Sequence, residues 1–177
     1  MPTDPTRADA GANIVLTGFM GTGKSTVGRL VADRLGRRFV DTDALIESRH
    51  GPIPDLFAEH GEDRFRELER EVASELATQS GLVVSTGGRT MLDPANEATL
   101  GSTGVVVCLS ASVDALVHRL RDEAEHRPLL RDRDPAERIA ELLAERAAGY
   151  GRFPQVLTDG RTPDQVADAV IALVGAT

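Results

Sequence analysis

Short apolar runs alternate along this chain with longer stretches in which apolar residues recur every three or four positions. The runs NIVLT (13–17), RFV (38–40), LVVST (82–86) and GVVVCL (104–109) have the length and β-branched content of buried strands, and PQVLT (154–158) is a fifth candidate. Between them, Val27, Leu30, Val31 and Leu35 fall on one helical face, as do Phe65, Leu68, Val72 and Leu76. Strands separated by helices predict a three-layer α/β domain: a central, mostly parallel five-stranded sheet with helices on both faces.

Helix starts are signed by Asp93-Pro94, Asp134-Pro135 and Thr162-Pro163, each a capping side chain before a proline suited to the first helical position. Glu137 and Gln165 add capping-box spacing at the last two. The polar stretch DEAEHRPLLRDRD (122–134) has charges of both signs and little periodicity, and reads as a mobile flap or a solvated loop. A second irregular connection is expected at AAGYGRFP (147–154). No repeat at a solenoid period is present. The expected organisation is a flexible tail over 1–12 and one domain over 13–177.

Charge narrows the possible partners. Lys and Arg number 20 against 28 Asp and Glu, a net charge of −8, which disfavours a surface that holds nucleic acid by its phosphates. Any bound anion must be held by a local cluster. Cys108, the single cysteine, lies in an apolar run and is expected as a core thiol, which is compatible with a reducing compartment. The first dozen residues lack the apolar stretch of a secretory signal, and no apolar run is long enough to cross a bilayer, so a cytoplasmic location without membrane partners is expected.

The chemistry begins after the first strand. GFMGTGKS (18–25) fits G-x-x-x-x-G-K-[ST] between an apolar strand and an amphipathic helix, the setting a phosphate-binding P-loop requires. Gly18, Gly21 and Gly23 permit a tight loop with inward amides, and the segment Gly21, Thr22, Gly23, Lys24, Ser25, Thr26 leads into a helix whose positive end faces phosphate. Lys24 is placed for the β- and γ-phosphates, and the Ser25 hydroxyl for magnesium. No NKxD-type guanine signature is present, and the short, compact βα spacing favours a small-molecule kinase over a GTPase or motor.

Two carboxylates, Asp41 and Asp43, end the second strand in DTD; alternation along an extended chain would turn both to one side. One can serve magnesium and the other accept the proton of an attacking hydroxyl, or Asp43 can simply cap the helix that follows. In FRELE (65–69), Arg66 and Glu69 stand three apart on a helix. They form either a solvated ion pair or an oriented guanidinium fork for an acidic substrate.

Taken in order and at these intervals, GFMGTGKS, DTD, FRELE, STGG, HRPLL and AERAAGY resemble the shikimate kinase family, over essentially residues 13 to 174. The resemblance implies a P-loop kinase with a mobile lid at about 122–134 that transfers the γ-phosphoryl of ATP, with magnesium, to the 3-hydroxyl of shikimate. It implies that Asp43 activates the acceptor hydroxyl and that Asp41 belongs to the magnesium environment. Arg66 and Arg146 would grip the substrate carboxylate, with Gly87 and Gly88 as a backbone wall against its ring. Arg127 matches the lid arginine over the phosphates, Arg119 the arginine that stacks on adenine, and Arg161 lies in DGRTP (159–163), which matches the adenine-side loop. A monomer is implied as well.

Two departures bear on the substrate. The family usually has three glycines where this chain has Gly87, Gly88 and Arg89. Arg89 either swings outward and leaves the pocket intact, or supplies a further fork for an acidic substituent. AAGY and FPQVLTDG also differ from the family pattern, near the carboxylate-binding arginine and the adenine side. Alternatives to the main expectation are a kinase for another small hydroxylated carboxylate or polyol, and a catalytically silent nucleotide-binding regulator.

Overall fold

Period-two alternation in the central strand divides the core. In β1 (Asn13–Gly18), Ile14 and Leu16 face one layer of helices while Val15 faces the other, and all three are fully buried. The computed structural model describes residues 11–121 and 134–175. Within them β1 is followed by α1 (Lys24–Leu35), β2 (Arg38–Asp41), α2 (Thr42–His50), α3 (Ile53–Ala77), β3 (Leu82–Ser85), α4 (Pro94–Gly101), β4 (Gly104–Ser110), α5 (Val113–Leu120), α6 (Pro135–Tyr150), β5 (Gln155–Leu157) and α7 (Pro163–Val174). A 3-10 turn, Thr90–Leu92, precedes α4.

The five strands pair in parallel in the order β2-β3-β1-β4-β5. Each parallel step needs a crossover; α1, which connects β1 to β2, shares one face with the C-terminal α7, with Val27, Val31, Val166 and Val170 inward. On the other face α3, α4, α5 and α6 pack Phe65, Leu68, Val72, Leu76, Leu100, Leu116 and Ile139 around Val15 and Val84. Because all strands run the same way, the loops leaving β1, β2 and β3 emerge at one edge, where strand order reverses around β1.

All five expected strands form, and the three expected caps are made. Asp93 accepts from the Ala95 amide at 2.9 Å, Asp134 from Ala136 at 2.8 Å, and Thr162 and Gln165 close a reciprocal capping box. Cys108 is buried, which pushes its thiol up to about 11. No described helix is long and apolar enough to cross a membrane.

Three expectations are revised. Gly28 and Ala32 lie buried on α1 where Leu30 and Leu35 are half-buried, because a Cβ at Gly28 would stand 2.6 Å from the Phe39 ring. Helical hydrogen bonding continues through Tyr150, so the first half of AAGYGRFP is helix and the loop starts at Gly151. α2 begins at Thr42, so strand alternation does not reach Asp43. In α3, Gly61 (φ 79, ψ 174) breaks the helical backbone, and the apolar stripe belongs to the part after the break. Residues 1–10 of the expected tail and 122–133 of the expected lid lie outside the described residues, whereas Gly11 and Ala12 accept hydrogen bonds from the Gly81 amide and the Arg37 side chain.

Asn13 fastens the start of this sheet. Its side chain accepts from the Leu82 amide at 2.9 Å and donates to Gln79 O at 2.9 Å and Thr103 Oγ1 at 3.3 Å. Asn13→Ala strands a buried amide and a carbonyl, and is expected to cost about 2–3 kcal/mol. In urea unfolding the midpoint should fall with the slope unchanged; an unaltered midpoint would mean that water replaces the clamp.

Candidate functional site

The turn from β1 into α1 is built on left-handed glycines: Gly21 (φ 79) and Gly23 (φ 90) adopt backbone conformations that side chains rarely tolerate. A Cβ at Gly18 would run into the Leu109 carbonyl of the neighbouring strand. Gly23 precedes α1 without a side chain to cap it, which leaves the first-turn amides for an external acceptor. Lys24 Nζ folds over the loop and donates to Gly18 O at 2.8 Å and Phe19 O at 3.0 Å. Thr22 braces the turn by donating to Phe19 O at 2.7 Å, while Thr26 is exposed on the first turn of α1.

Beyond Lys24, the Ser25 hydroxyl donates to Asp41 Oδ2 at 2.5 Å and lies 3.3 Å from Ser85 Oγ. The other Asp41 oxygen accepts from the Ala44 amide at 3.1 Å, so the helix cap is Asp41 and the capping alternative for Asp43 is not realised. Asp43 instead stands in the first turn of α2. Its Oδ1 is sealed from solvent and has no hydrogen-bond partner among the described residues. Burial, reinforced by the charges of Glu69 and Asp41 and opposed by Lys24, pushes the Asp43 carboxyl up to about 6.

Glycine is required again after β3. A Cβ at Gly87 would stand 2.8 Å from Asp43 Oδ1, 2.9 Å from Thr90 Oγ1 and 3.2 Å from Glu69 Oε1. The Gly87 amide donates to Thr42 Oγ1 at 3.2 Å. Any larger residue would be forced into this acidic cluster. Gly88 stands one step on: its carbonyl accepts from the Tyr150 hydroxyl at 2.5 Å, and its Cβ position is 3.4 Å from Arg146 Nη1. Arg146 is 7 % exposed and lies over the Phe19 ring at 5.3 Å, which brings α6 against the P-loop.

Arg66 and Glu69 are no solvated surface pair. Arg66 Nη1 donates to Glu69 Oε2 at 2.6 Å, and the Glu69 side chain is 1 % exposed. Glu69 also accepts from Thr90 Oγ1 at 2.6 Å. Arg89 turns toward Glu62, 3.5 Å away, and remains exposed. The residues gathered here include Thr42, Glu62, Ser85, Thr90 and Tyr150, which sequence reasoning did not single out. Tyr150 was within reach, one helical turn beyond Arg146, and Glu62 is one turn before Arg66.

Arg119 stands apart from this cluster, on the nucleotide-loop side. It donates to Thr158 Oγ1 at 2.9 Å, Thr158 O at 3.2 Å and Gly21 O at 3.2 Å, tying α5 to the end of β5 and to the P-loop. Asp159 accepts from the Ser112 amide at 3.0 Å, and Arg161 is exposed just beyond, its amide bonded to Thr158 O at 3.2 Å. Arg127 lies outside the described residues.

The sequence pattern of the shikimate kinase family matches residues 20–174. A shikimate kinase of Geobacter metallireducens is 47% identical over 156 residues, covering 87% of each chain. One from Geobacter sulfurreducens is 45% identical over 166 residues, 93% of this chain and 91% of its own. Among solved structures, the shikimate kinase of Acinetobacter baumannii in complex with shikimate superposes with a TM-score of 0.86 at 34% identity, covering 93% of both chains.

Asp43 is held ionised at neutral pH against its surroundings, so it costs stability. With its carboxyl raised from 3.8 to about 6, the folded state keeps a proton that the unfolded state has lost between those values. Stability therefore falls as pH rises through that window, and the cost is complete above it. A two-unit shift corresponds to about 3 kcal/mol, and partial exposure of the residue reduces this to about 1–2 kcal/mol. Asp43→Asn should melt higher than the parent at pH 8, with the advantage shrinking toward pH 4. A constant difference across that range would contradict the burial argument.

Proposed function

The chain belongs to the shikimate kinase family, and on that premise we propose that this phosphotransferase moves the γ-phosphoryl group of ATP to the 3-hydroxyl of shikimate. The observation that carries this reading is the position of Asp43. Its shielded carboxylate lies between the Lys24 loop and a wall of two glycines backed by Arg66 and Arg146. A small ring carrying both a hydroxyl and a carboxylate would find a base for the one and guanidinium groups for the other around this glycine wall.

In the proposed step the Asp43 carboxylate takes the proton of the attacking hydroxyl as its oxygen bonds to the γ-phosphorus. The bond to the β-γ bridging oxygen breaks, and ADP leaves with that electron pair. Lys24 and the loop amides from Gly21 to Thr26 offset phosphate charge, while Arg66 and Arg146 fix the carboxylate so that the hydroxyl faces Asp43. Arg119 and Arg161 are proposed for the adenine side, and Arg127 for the phosphates from the lid segment. Among the described residues no group of three His, Cys, Asp or Glu side chains could hold a metal. The adjacent oxygens of Ser25 and Asp41 nonetheless suit Mg2+, which is commonly bound by few protein ligands and completes its shell with water and phosphate. Held there, the ion would supply positive charge to offset that of the nucleotide phosphates.

A kinase for a different hydroxylated acid is the second reading, favoured by the extra guanidinium of Arg89 beside Arg66. The proposed setting is a cytoplasmic monomer with small-molecule partners alone; the net charge of −8 opposes nucleic-acid binding.

ADP release measured with Mg-ATP and shikimate, quinate or gluconate separates these readings. Shikimate should give much the largest kcat/KM; a preference for another acid would favour the second reading. Asp43→Asn should lower kcat by about 10²-fold or more with ATP affinity nearly unchanged, and retained turnover would remove Asp43 as the base.

A further inference from the structure

Arg66 already holds a carboxylate on the edge proposed for substrate. Its Nε and Nη2 donate to Glu62 Oε1 at 3.1 and 2.9 Å, while Nη1 is engaged by Glu69. The same Glu62 oxygen lies 3.5 Å from Arg89 Nη1. One carboxylate oxygen is thus shared between two guanidinium groups. The side edge of Arg66, the usual seat of a bidentate acid, is filled by it.

The two acidic partners of Arg66 differ in how firmly they are held. The Glu69 side chain is 1 % exposed and fastened a second time by Thr90, so it has nowhere to go. Glu62, by contrast, is 51 % exposed in the first turn after the Gly61 break, and can rotate without being stripped of water. Arg89 is 54 % exposed and already beside it. Three cations, Arg66, Arg89 and Arg146, act on the Glu62 carboxyl and hold it below its usual range, chiefly through the Arg66 hydrogen bonds.

Building on the proposed acidic substrate, we infer that Glu62 is a displaceable stand-in for the substrate carboxylate and that Arg89 is the positioning residue that receives Glu62 when the substrate arrives. The arriving acid takes the Nε and Nη2 edge of Arg66 and the Arg146 guanidinium; Glu62 shifts onto Arg89. Every guanidinium then faces a carboxylate, and the displaced glutamate does not confront the substrate's charge unpaired. Were Arg89 missing, those two anions would crowd one fork, and like charges at that separation repel. Before binding, Glu62 blocks the fork to simple anions that lack the further contacts needed to displace it.

Shikimate KM and kcat in wild type, Arg89→Ala, Arg89→Lys, Glu62→Gln and the Glu62→Gln/Arg89→Ala double variant test this. Arg89→Ala should raise KM about fivefold with kcat within about twofold, the scale of an exposed charge pair, and Arg89→Lys should recover most of the loss. In the Glu62→Gln background Arg89→Ala should have almost no effect, because no displaced charge needs a partner. An equal KM increase in both backgrounds would mean that Arg89 touches substrate directly, and would overturn the exchange. So would a silent Arg89→Ala, or a lysine that rescues nothing. Wild type that releases no ADP with shikimate would instead defeat the kinase reading, and the exchange with it; the parent enzyme alone reveals that outcome.

Discussion

One buried carboxylate holds the acceptor side of this molecule together. Glu69 accepts from Arg66 Nη1 and from Thr90 Oγ1, both at 2.6 Å, and so ties α3 to the segment that leaves β3. Removing one partner of such a pair leaves an uncompensated charge and costs about 3–5 kcal/mol. The same carboxylate stands 3.2 Å from the Cβ position of Gly87, which excludes any larger residue there. It also raises the Asp43 carboxyl through space. A guanidinium proposed for substrate binding, a backbone wall and a proposed base therefore share a common neighbour.

That neighbour is useful only because the parallel sheet delivers the rest to the same place. β1, β2 and β3 end side by side, with Leu16 opposite Ser85 and Asp41 opposite Ser85, so the P-loop, the aspartates and the glycine pair leave a common edge. The Ser25–Asp41 hydrogen bond and the Arg146–Phe19 contact then join the phosphate side to the acceptor side. The cost lies in packing like charges together: Glu69 and Asp41 both act on the buried Asp43 carboxyl, a strain that proteins commonly retain at working sites.

How much of this was legible in the sequence follows from the range of the forces involved. Strands built from Val, Ile and Leu runs, the glycine-rich loop and the aspartate and threonine caps are dictated within a few residues, and each appears where its local chemistry predicts. Asp43 was legible as chemistry and misplaced as geometry, because Asp41 captures the Ala44 amide and starts α2 two residues earlier. Pattern alone leaves Arg66 and Glu69 open between surface pair and buried grip; packing against Thr90 decides it, across 21 residues. Glu62 and Tyr150 acquire meaning only from partners on other segments, Arg89 and the Gly88 carbonyl.

The direct test of the Glu69 linkage is an NMR titration of the Asp43 carboxyl, 13C-labelled, in the ligand-free parent and in Glu69→Gln. A midpoint near 6 in the parent that moves clearly downward in the variant, without returning to 3.8 because burial persists, is the predicted result. Identical midpoints in the two proteins would contradict the account and leave Asp43 electrically independent of the residue said to organise it.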